Sequence, residues 1–113
     1  MIKVSVFDNI EIIQSIKKDA DENIRIAWAQ ENEQSPGYAV FSTSGEILDI
    51  IDNGGISELL VRACLNYYDL RSLKIAFCRN KKLYPFLKTL GFSDNNDSVE
   101  VDIKDFFKPC CKK

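Results

Sequence analysis

The sequence predicts one α/β domain with a mixed, mostly antiparallel sheet flanked by helices. Three observations carry this expectation. Strand-like alternation and hairpin signals recur over residues 2–52 around one short helix, an unbroken helical pattern follows over 56–67, and "KIAFC" (74–78) is apolar on both faces, as a parallel strand covered by helices is.

The elements follow in order. Ile2, Val4 and Val6 alternate with Lys3 and Ser5, the pattern of a half-buried strand. Asp8 and Glu11 stand at capping-box spacing, and Ile10, Ile13 and Ile16 share the face of a short helix. Ile24, Ile26 and Trp28 lie on one side of a second strand, which ends at a polar break containing Pro36-Gly37. "YAVFS" and "EILDII" flank "TSG" as the two arms of a hairpin. In the second arm Ile47, Leu48, Ile50 and Ile51 fill both faces, which predicts a central strand. Simple alternation sets Asp49 with Ile47, opposite Leu48 and Ile50. Asn53-Gly54-Gly55 then turns the chain into the longest helix. There Ile56, Leu59, Leu60, Ala63, Cys64 and Tyr67 form the apolar face, and Ser57, Glu58, Arg62 and Asn66 face away.

After "KIAFC", Leu83, Phe86, Leu87 and Leu90 recur at helical spacing. Asn80 is placed to cap, Gly91 to end the helix, and Pro85 delays its regular start. "SVEVDI" closes the domain as an antiparallel or edge strand. The strand–helix–strand unit in the second half is expected to be a right-handed crossover. Where the antiparallel and parallel parts meet the strands can splay, and the glycine turn faces that opening.

Composition narrows the function classes. The chain has 113 residues, 45% hydrophobic and 28% charged, which fits one globular domain over 1–107 with a Cys/Lys tail at 108–113. A net charge of −2 with scattered Lys and Arg predicts no nucleic-acid partner. No apolar run approaches the roughly 18 residues of a membrane span, and "MIKVSVFDNI" lacks a signal layout, so a cytoplasmic protein is expected. Cys64 and Cys78 sit in apolar patterns as small buried hydrophobes. With no His and no CxxC pair, Cys110-Cys111 lack the usual zinc ligand set, and no metal site is expected.

The element order, and "NKKLYPFLKTLGF" in particular, resembles the GCN5-related N-acetyltransferase (GNAT) superfamily. That family's second cofactor segment is an Asn followed by a helix ending in Leu-Gly-Phe. Asn80, Leu83, Phe86, Leu90, Gly91 and Phe92 match it. The resemblance implies a site for acetyl-coenzyme A made by Ile50, Ile51, Asn53, Gly54, Gly55, Ile56, Ser57 and Asn80, with the diphosphate at the helix N-terminus. The family pattern there is Arg or Gln, two residues, Gly, one residue, then Gly or Ala. With Gly54 at the first glycine, Ile51 takes the Arg/Gln position and Ile56 the second small one. Many members carry a thiolate-protonating Tyr where this chain has Leu87, and Tyr84 is the nearest substitute. Among Glu46, Asp49 and Asp52, Asp49 is the candidate general base. The resemblance thus implies transfer of an acyl group to a small-molecule or peptide amine. Only one short helix fits between the first two strands, so the acceptor site is open or completed by a second subunit, as in a homodimer. The alternative is a GNAT-like binding or dimerisation module without catalysis. A third reading makes the Cys110-Cys111 tail the working part.

Overall fold

A computed structural model describes residues 2–107. The order is β1 (Lys3–Phe7), α1 (Ile10–Ile16), β2 (Ile24–Gln30), β3 (Gly37–Ser42), β4 (Ile47–Asp52), α2 (Ser57–Leu70), β5 (Ile75–Cys78), α3 (Tyr84–Thr89), β6 (Ser93–Asn95), β7 (Ser98–Asp102) and α4 (Ile103–Phe107). A 3₁₀ turn over Lys81–Leu83 leads into α3. The expected α/β class and mixed sheet are present.

The sheet is in two parts. β1-β2-β3-β4 form an antiparallel meander, and β5-β7-β6 form a second antiparallel sheet with β7 in the middle. Among the described residues a single parallel bridge, Glu46 to Phe77, joins them, with the Phe77 N–H donating to Gly45 O at 2.9 Å. The bridge falls one residue before β4, and beyond it β4 and β5 diverge, so β4 is the edge of the meander rather than the central strand expected.

The two faces of the meander differ in depth. On one, Ala27, Ala29 and Ala39 are small enough for α2 to settle closely, and Phe41 and Ile47 complete the contact with Leu60, Val61, Cys64, Leu65 and Tyr68. The buried stripe of α2 is rotated from the expected one. Val61, Leu65 and Tyr68 are inside, whereas Leu59 is 39% exposed. On the other face α1 covers little: Ile13 and Ala20 pack on Ile26 and Val40. The rest of that face carries Phe7, Trp28 and Tyr38, stacked at centroid distances of 6.0 and 5.4 Å across three adjacent strands.

Local chemistry explains the ends. Asn9, not Asp8, caps α1, its side-chain oxygen accepting from the N–H groups of Glu11 and Ile12. α3 ends as expected at Gly91 (φ +106°). Gly91 N–H bonds Lys88 O and Phe92 N–H bonds Leu87 O, the paired bonds of a Schellman motif. β6 and α4 were not expected. β6 is a three-residue edge strand of polar residues, and α4 follows β7 directly, with Asp102 accepting from Asp105 N–H.

Candidate functional site

The turn from β4 to α2 is closed by Asp52. The helix starts at Ser57, and the residue before it, Ile56, has no side chain able to cap. The first N–H groups of a helix are unpaired and carry the positive end of its dipole. Asp52 folds over them. One carboxylate oxygen accepts from Gly54 N–H at 2.9 Å and Ile56 N–H at 3.0 Å. The other accepts from Ser57 N–H at 2.9 Å and from the Ser57 hydroxyl at 2.5 Å. Partial burial pushes this carboxyl up, but the Ser57 hydroxyl and the backbone N–H groups of Ile56, Gly54 and Gly55 outweigh it and hold the pKa at about 2.

The glycines permit this wrap. Gly55 takes the left-handed backbone, φ +71°, and a Cβ on Gly54 would stand 2.7 Å from the Pro36 ring. The Asp52-to-Gly54 bond, two residues on, is an Asx turn. An Asp two residues before a glycine pair was the sequence signal for it. Of the predicted cofactor residues, Asn53, Gly54 and Gly55 lie exposed on the turn. Ser57 contributes its N–H and hydroxyl to Asp52 rather than to open solvent. Ile56 is 6% exposed in the core, and Ile50 packs partly buried against the α2 cluster.

The gap between β4 and β5 is spanned by side chains. Asn80 Nδ2 donates to Leu48 O at 3.0 Å, while its Oδ1 caps the 3₁₀ turn through Lys82 N–H at 3.2 Å. Arg79 forms a two-pronged pair with Glu46, at 3.0 and 2.8 Å. Asn80 therefore has two duties that substitution can separate. Asn80→Ala is expected to cost about 1–2 kcal/mol in urea unfolding. Asn80→Asp keeps the cap acceptor, loses the donor to Leu48, and recovers part of that loss; equal losses would mean that the cap contributes nothing.

Simple alternation breaks between Ile47 and Asp49. A β-bulge between Val40 and Phe41 pairs Val40 with Asp49 and Phe41 with Ile47, leaving Leu48 as the extra residue. Leu48 and Asp49 consequently both face the α1 side, and Ile47 and Ile50 face α2. This corrects the expected grouping of Asp49 with Ile47. Asp49 lines a pocket of about 310 Å³ with Ile51 and Tyr38, and one of its oxygens accepts from Ile50 N–H at 2.9 Å. Tyr84 opens α3, and its hydroxyl donates to Asp97 O at 2.6 Å in the β6–β7 turn. Partial burial, then nearby Cys78 and the acidic side chains, push its phenol up. Leu87, at the family's Tyr position, is fully buried.

An antiparallel meander, a glycine turn into a long helix and a splayed parallel strand define the architecture of the acyl-CoA N-acyltransferase-like proteins. Two solved structures agree. A GNAT-family protein from Desulfovibrio desulfuricans, named as an acetyltransferase, superposes with a TM-score of 0.63 at 16% identity, covering 82% of this chain and 77% of its own. A GCN5-related N-acetyltransferase from Rhodopseudomonas palustris superposes with a TM-score of 0.62 at 10% identity, covering 82% and 67%. The chain has the GNAT fold. No protein-family model matches the sequence, and no curated protein matches it. Among the described residues, no helix is long and apolar enough to cross a membrane. The Cys110-Cys111 tail lies outside them.

Proposed function

We propose that this chain is a GNAT-fold binding module that does not grip coenzyme A by its diphosphate. The observation that carries the reading is the Asp52 carboxylate on the α2 N-terminus. The left-handed residue of the turn is Gly55. Setting the family's first glycine there, in place of Gly54, puts Ser57 at the second small position and Asp52 at the Arg/Gln position. An attractive or neutral side chain is thus replaced by an anion that already holds the donors a diphosphate needs. A phosphate oxygen about 4 Å from that carboxylate is repelled by about 4 kcal/mol at an effective dielectric near 20. The Asn80 and Arg79 ties across the β4–β5 gap support the same reading, because an acyl arm in that gap has to break them.

A second reading, acetyl-CoA-dependent transfer to an amine, draws on one observation. Asp49 sits in an open pocket on the bulged strand, where a base would meet an acceptor. In that reading Asp52 swings out when the cofactor enters, and Tyr84, held protonated against Asp97 O, is the acid. Thermal melting with acetyl-CoA separates the two. The module reading expects no change at millimolar acetyl-CoA. A melting temperature that rises with the logarithm of acetyl-CoA concentration overturns it and favours the transferase.

A further inference from the structure

The pocket on the α1 side carries its own chemistry. Val40, Leu48 and Ile51 make apolar walls, Ile16 closes the α1 end, and Tyr38 supplies an aromatic side. Trp28 stacks on Tyr38 and Phe7 on Trp28, so the ring is held by a row of aromatics. Its volume, about 310 Å³, is at the lower end of the roughly 300–1,000 Å³ of small-ligand sites.

Two opposite charges line this space beside the apolar walls. Asp49 faces it from β4, opposite Val40, and the extra residue of the bulge, Leu48, lies beside it on the same face. Among the described residues none of the ion pairs includes Asp49. Its side chain accepts from Ile50 N–H. Lys17 also lines the pocket and pairs with Asp19 at 3.2 Å. That pair is 40% and 81% exposed, so it holds the ammonium weakly and lets it exchange partners. A carboxylate and an ammonium beside aliphatic and aromatic walls complement a ligand of the reverse charges with an apolar body.

We infer that this pocket binds a small zwitterion with an apolar or aromatic side chain, the chemistry of a free α-amino acid. The ligand's ammonium pairs with Asp49, its carboxylate meets Lys17, and its side chain lies against Tyr38 and the aliphatic walls. The inference names a ligand class for the binding module and rests on that reading for its role. The pocket is formed by other residues than the Asp52 turn, so the two can fail separately.

The test is a titration of the full chain, followed by backbone amide NMR, with L-phenylalanine and L-leucine. N-acetyl-L-phenylalanine and L-phenylalaninamide serve as probes that each lack one charge. The expected result is a shift of amides in 38–40 and 48–51 with the free amino acids at millimolar concentration, and binding about tenfold weaker for each blocked probe. Asp49→Asn is expected to weaken L-phenylalanine about tenfold and leave the N-acetyl probe unchanged, with chemical shifts elsewhere preserved. Lys17→Gln, at an exposed position, gives the converse pattern with the amide probe. No shift with either amino acid, or shifts indifferent to both substitutions, overturns the assignment. Loss of this site with no acetyl-CoA binding leaves the module reading standing, and acetyl-CoA binding with a working pocket removes the module reading alone.

Discussion

Asp52→Ala is expected to lower the melting temperature by roughly 8 °C at neutral pH, with a deficit that closes in acid. The carboxylate holds three backbone N–H groups and a hydroxyl that no other side chain caps. Its pKa falls from an ordinary 3.8 to about 2 in the folded chain. Each pKa unit is worth about 1.4 kcal/mol, which with a discount for partial exposure gives about 2 kcal/mol. For a domain of this size each kcal/mol moves the melting temperature by about 4 °C. The folded pKa lies below the unfolded one, so the contribution is complete above about pH 4 and is lost as pH falls through about 2. Melts of the two proteins across that range check both size and direction. A gap that stays constant down to pH 2 would show that the ionised cap contributes nothing.

A larger loss is expected at Tyr68. It is the largest fully buried side chain and meets Phe41 edge to face at 5.4 Å. Its hydroxyl donates to Ser42 O at 2.8 Å and lies 3.2 Å from Glu46 O, tying α2 to both ends of the β3–β4 hairpin loop. Burial, above all, pushes the phenol up, so it stays a donor across the working pH range. Tyr68→Ala opens a cavity between helix and sheet and costs about 3–5 kcal/mol. Tyr68→Phe keeps the ring and removes only the hydroxyl, costing about 1 kcal/mol. Urea unfolding of the pair separates packing from the hydrogen bond. Equal losses would mean that the ring is not what fills the space.

Periodic elements were legible in the sequence because their apolar residues recur at the spacing of the element that buries them. α2, the β3–β4 hairpin and the Gly91 end of α3 fall in this group. Elements without that signal were not. β6 is Ser93-Asp94-Asn95, three exposed polar residues that take strand form only because β7 offers an edge. α4 is five residues long and is set by Asp102 capping it. The cap of α1 moved by one residue because Asn9, unlike Asp8, stands where the first free N–H groups point.

The glycine turn between strand and helix and the cap at Asn80 were legible as local structure. The separation of Asp49 from Ile47 was not, because the bulge at Leu48 is decided by how β3 pairs, which no local pattern in β4 records. The turn of Asp52 onto the helix was foreshadowed by its charge and by the glycine two residues on. Its full set of partners depends on where the helix begins.

The single bridge between Glu46 and Phe77 has a consequence for how the chain assembles and breathes. Each strand of the meander pairs with its neighbour in sequence, and the second sheet is made wholly within residues 75–102. Most backbone pairing is therefore short-range along the chain, which favours rapid formation of two separate nuclei. α2 contacts all four meander strands and α4, and so joins the two units in the folded chain. Once folded, the β5–β7–β6 unit is tied to β4 by that bridge and the Arg79 and Asn80 side chains. Its buried residues Ala76, Cys78, Val99 and Val101 share one apolar cluster with α2, so the two sheets are expected to lose amide protection together in hydrogen exchange.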